Sequence, residues 1–125
     1  MLILRPDQMA AFSAAGEERF VKKMVKHHRE YFPEWSRSLG ANALDAFIRH
    51  GMKRANLHGF ETELEIARYL HVMQALGPNF DESGEYAWAE ELLNRRMPPQ
   101  AKMNHLRDAA DYELEARRIR NANRH

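Results

Sequence analysis

Apolar side chains recur at three- and four-residue spacing along almost the whole chain, and Pro or Gly stands where the pattern breaks. That spacing gathers apolar groups on one face of an α-helix. No run shows the two-residue alternation of a half-buried strand. Each striped helix must cover its apolar face with another helix. The sequence therefore predicts an all-α fold, a single compact array or irregular bundle of about five helices.

The first predicted helix runs from Pro6 to Tyr31, with Met9, Phe12, Phe20, Met24 and His27 on its stripe and a bend at Gly16. Pro33 stops it, because the residue before proline is pushed out of the helical region. A second helix spans Ala41 to His58, burying Leu44, Phe47, Ile48, Gly51, Met52 and Ala55, with Gly59 just past its end. Thr62 starts the third, and Glu65 stands at the matching capping-box position. Ile66, Tyr69, Leu70, Val72, Met73 and Leu76 form its inner face. Gly77-Pro78 ends it, and Phe80 is expected to fold back from the loop that follows.

A short fourth helix from Glu85 to Arg95 turns Trp88, Ala89, Leu92 and Leu93 inward. Pro99 suits the first turn of a fifth, which carries Met103, Leu106, Ala109, Ala110 and Leu114. Beyond Glu115 the only strong apolar side chain is Ile119, so a frayed tail is expected after about residue 115. No linker divides the chain, and residues 1–125 read as one domain.

A chain of this size buries about two-thirds of its extended surface and needs no metal or disulfide to fold. There is no cysteine, which removes thiol chemistry and Cys-based zinc sites. The run Met1-Leu2-Ile3-Leu4 is too short for a signal segment, and no stretch of about 20 apolar residues could span a membrane. A cytoplasmic location is the simpler expectation.

The polar residues assemble no reaction centre. His27 and His28 project in different directions, and His50 and His58 lie about two turns apart. Only an unforeseen tertiary arrangement could bring His71 or His105 to them. The serines stand in no nucleophile-elbow motif, Asp81-Glu82-x-Gly84 lacks the spacing of a calcium loop, and no glycine pattern cradles phosphate. No catalytic residue, metal ligand or cofactor is assigned. A small enzyme with a site assembled across helices remains an alternative.

Charge carries more information. The net value of +1 conceals 10 Lys/Arg against 6 Asp/Glu in residues 1–60, and 3 against 8 in residues 61–98. Such blocks favour contact with an oppositely patterned protein. The candidate interface residues are the basic group Lys22, Lys23, Lys26 and Arg29 and the acidic group Glu61, Glu63 and Glu65. Nucleic-acid binding is the other alternative, with Lys53 and Arg54 added to the basic group. Glu17, Glu18, Glu30 and Glu34 interrupt that field, so no strong nucleic-acid binding is expected.

Leu76-Gly77-Pro78-Asn79-Phe80-Asp81, Phe32-Pro33, Gly51-Met52-x-x-Ala55 and Ala67-Arg68-Tyr69-Leu70 together give the chain a resemblance. Over roughly residues 1–95 it resembles small bacterial proteins associated with type VI secretion effector clusters. The resemblance implies an effector-associated adaptor, accessory or immunity protein, and it carries over no catalytic residue. Where the family pattern has Asp, this chain has Asn79, which keeps a short turn side chain and loses a carboxylate. The expected function is a noncatalytic protein-interaction module whose partner is another protein.

Overall fold

Helices are the only regular elements among the residues that the computed structural model describes, 13–123. They are α1 (Ala14–Tyr31), α2 (Pro33–Leu39), α3 (Ala41–Leu57), α4 (Glu63–Leu76), α5 (Ala87–Leu93) and α6 (Pro99–Ala122). The fold is all-α, as expected. The described residues form two compact units that divide between Ala67 and Arg68, inside α4.

In the first unit, Ser13 sets where α1 begins. Its backbone is extended, and its hydroxyl accepts a hydrogen bond from the Gly16 N–H at 3.3 Å. This N-cap replaces the continuous helix expected through that point: α1 starts at Ala14, and Gly16 is buried in its first turn. Pro6, Met9 and Phe12 lie outside the described residues. At the far end, the Phe32 N–H donates to the His28 carbonyl at 2.8 Å and closes the helix.

Pro33 then takes the first turn of α2, a helix absent from the expected set. A proline that cannot continue one helix is well shaped to start the next. The Ser36 hydroxyl donates to the same His28 carbonyl at 2.9 Å, fastening α2 across the end of α1. Gly40 turns the chain with φ of 85° and leads into α3.

Every residue expected on the inner face of α3 is buried, from Leu44 to Ala55. Gly59, at φ 91°, closes this helix in a Schellman arrangement. The Phe60 N–H reaches the Ala55 carbonyl at 2.9 Å, and the Gly59 N–H reaches that of Asn56 at 3.0 Å. Phe60 and Ala55 are both fully buried.

The expected capping box opens α4. The Glu65 N–H donates to the Thr62 hydroxyl at 3.1 Å, while the Glu65 carboxylate accepts from the Thr62 N–H at 3.4 Å. All six residues predicted for the inner face of α4 are buried.

In the second unit, Phe80 packs on Tyr69 with ring centroids 5.3 Å apart, so the loop folds back as its sequence implies. The fourth expected helix is real but shorter, seven residues as α5. The Lys102 ammonium donates to the Leu93 carbonyl at 3.0 Å, satisfying the end of α5 from within α6. Pro99 occupies the first turn of α6. That helix runs to Ala122, past residue 115, beyond which Ile119 is the only strong apolar side chain. Polar pairs support its last turns: Glu115 with Arg118 and Glu113 with Arg120 within the helix, and Arg117 with the Tyr86 hydroxyl beside it.

Candidate protein-interaction groove

Lys22, Lys26 and Arg29 stand at i, i+4 and i+7 of α1, which places them on one strip of its surface. They line an open groove of about 580 Å³ in the first unit. Val21 and Val25 form the adjoining strip on α1, and Ala41 and Asn42 bring the first turn of α3 to the opposite side. A neighbouring recess of about 450 Å³ shares Arg29 and Ala41 and adds Arg37 from α2. None of Lys22, Lys26, Arg29 or Arg37 makes an ion pair with a described residue. The N-terminal end of α3 adds its own positive potential to this side.

Two carboxylates, Glu18 and Asp45, also line the groove, and Arg49 contacts both. Its guanidinium lies 2.8 Å from Glu18, 3.1 Å from Glu17 and 2.6 Å from Asp45. The Arg49 hydrogen bond holds the Glu18 carboxyl below its ordinary range, and Glu18 and Asp45 in turn push Arg49 upward. A groove with three cations and two carboxylates would be nearly balanced by counting alone. Arg49 instead gathers the acids in one cluster at the Glu18 end, which leaves the strip from Lys22 to Arg29 basic.

The structure divides the candidate residues of the sequence into two sets. Lys22, Lys26 and Arg29 come together in the groove. Lys23 does not: it points to α4 and pairs with Glu63 at 2.8 Å. Glu65 is engaged in the capping box and also accepts from the Glu61 N–H at 3.2 Å. Glu61, Glu63 and Glu65 therefore cap and brace the start of α4, and only the Glu61 carboxylate is left out of these contacts. Arg37, Arg49, Asp45 and the valines were absent from the candidates. The four-residue spacing of Asp45 and Arg49 was a visible signal of an ion pair. The role of Arg37 was hidden because α2 itself was not foreseen.

Other polar clusters have structural partners. A recess of about 510 Å³ in the second unit is lined by Tyr86, Trp88, Glu113, Arg117 and Arg120. Its cations are committed, Arg120 to Glu113 at 3.7 Å and Arg117 to Tyr86, over whose ring it also lies at 5.8 Å. His28 is fully buried among the rings of Phe32, Trp35 and Phe47. Its Nδ1 lies 2.9 Å from the Met24 carbonyl, which can only accept, so Nδ1 carries the proton. No three His, Asp or Glu residues gather as a metal site among the described residues.

Comparison of the chain with family models, curated proteins and solved structures finds no match. No described helix is long and apolar enough to cross a membrane.

Proposed function

We propose that the chain is a noncatalytic protein-interaction module acting in the cytoplasm, and that its first unit carries the contact surface. One observation supports this reading above the rest: Lys22, Lys26 and Arg29 line a groove beside apolar side chains, while the nearby acids are occupied by Arg49. Cations aligned beside an apolar strip suit a partner that is both acidic and apolar, which describes a protein surface. A nucleic-acid backbone would find no use for Val25 and Ala41, and would meet Glu17 and Glu30 on α1 and Glu34 on α2. The sequence resemblance makes an effector of a type VI secretion cluster the first partner to seek, with this chain as its adaptor, accessory or immunity protein.

The test compares proteins recovered from the native cells by the tagged chain and by a variant carrying Lys22→Glu, Lys26→Glu and Arg29→Glu. The expected result is a partner retained by the parent and lost from the variant. Identical recovery by both would move the contact elsewhere. Recovery of no specific protein, together with turnover of a defined substrate by the pure chain, would overturn the reading.

A further inference from the structure

We infer that the groove of the first unit receives an acidic amphipathic helix of the partner protein, laid along α1 with its carboxylates in register with Lys22, Lys26 and Arg29. The inference rests on the protein-interaction reading and specifies the chemistry of the occupant.

Periodicity carries the argument. The three cations are spaced four and then three residues apart on α1, covering about 10 Å of helix axis at the usual rise. A second helix packed at a shallow angle offers side chains at the same interval along its own axis. Its carboxylates then meet all three cations at once, spaced four-three if parallel and three-four if antiparallel. An extended acidic strand presents same-face side chains about 6.6 Å apart, wider than the intervals of about 6 and 4.5 Å along α1.

The neighbouring strip fixes the second property of the occupant. Val25 lies in the groove beside Lys26, and Ala41 faces it from α3. A partner helix needs an apolar strip flanking its acidic one to cover these side chains. The volume of about 580 Å³ suits a few inserted side chains, with the body of the helix lying across the opening. Glu18 sets a boundary. Beyond it the surface holds the Glu17–Glu18–Asp45 cluster on Arg49, so the acidic strip of the partner must end near Lys22.

The probes are labelled synthetic peptides of about 20 residues, long enough for appreciable helicity. One carries Glu at i, i+3, i+4 and i+7 with Leu on the adjoining strip. A second has the same composition with the order scrambled, and a third ligand is a short DNA duplex. Binding to the full chain is followed by fluorescence anisotropy at physiological salt.

The patterned peptide is expected to bind about tenfold tighter than the scrambled one, as three exposed ion pairs of ordinary strength would give. Lys22→Glu, Lys26→Glu and Arg29→Glu together should remove that difference. Lys53→Glu, Arg96→Glu and Arg107→Glu change the net charge equally at exposed positions outside the groove lining, and should preserve it. Circular dichroism checks that both triple variants keep their helices, and a neutral set with Gln at 22, 26 and 29 is expected to give an intermediate loss. Equal binding of patterned and scrambled peptides would overturn the register while leaving a partner recovered from cells intact. Tighter binding of the duplex than of either peptide would overturn both readings.

Discussion

Arg49 holds three carboxylates together with one guanidinium and so lowers the repulsion among them. Arg49→Met should let the Glu18 carboxyl titrate closer to its ordinary range, which a carbon-detected NMR titration would follow. The released charges should also weaken binding of any acidic peptide to the groove. His28 acts in the opposite electrostatic sense. Burial lowers its pKa from 6.5, the charge of His27 lowers it further, and its bond to Met24 partly offsets both. The unfolded chain therefore takes up a proton at His28 before the folded chain does. The stability gained from neutral His28 is fully present above about pH 6.5 and is lost as the pH falls through the lower folded value. Urea unfolding between pH 7 and 5 should show this decline, with a slope no steeper than about 1.4 kcal/mol per pH unit from this one group. His28→Phe should flatten the slope; an unchanged slope would assign it to other histidines.

Among the elements, α4 was the most legible from sequence because its start, inner face and end each carried a separate signal. Thr62 and Glu65 cap it reciprocally, so Thr62→Ala should cost about 1 kcal/mol in a denaturant titration. Leu70 is fully buried, and Leu70→Ala should cost about 2–5 kcal/mol; a near-neutral result would contradict its place in the core. The inner face of α3 and the closing role of Gly59 were equally readable, since apolar spacing and a positive-φ glycine reinforce each other. What failed to show was α2. Its seven residues span too few turns to establish a period, and in the sequence Pro33 reads only as a stop. The end of α6 was missed for a related reason: apolar periodicity detects burial, whereas the turns beyond Glu115 are supported by polar pairs.

At the scale of the molecule, a net charge of +1 says little about surface behaviour, because its charges are paired unevenly. Lys22, Lys26 and Arg29 were recognisable as a basic group, and helical spacing already sets Lys23 off their strip. Its pairing with Glu63 depends on where α4 lies, which no local pattern of α1 encodes. With so few cations aligned and carboxylates close by, generic DNA or RNA should bind weakly and with a shallow dependence on salt. An affinity series from low to physiological salt checks this; submicromolar binding with a steep slope would restore the nucleic-acid alternative.

The division inside α4 also gives the molecule two separate optical reporters. Of its two tryptophans, Trp35 falls in the first unit and Trp88 in the second. Trp35→Phe leaves an emission that follows the second unit alone, and Trp88→Phe leaves one that follows the first. Trp35 stands 5.8 Å from the His28 ring and 4.9 Å from Phe47, so its emission also reports on the surroundings of His28. Coincident melting of the two single-tryptophan chains would show that the units unfold as one cooperative body, whereas separate midpoints would give each its own stability. Because the proposed groove lies wholly in the first unit, a bound helix would then raise the Trp35 midpoint and leave that of Trp88 in place.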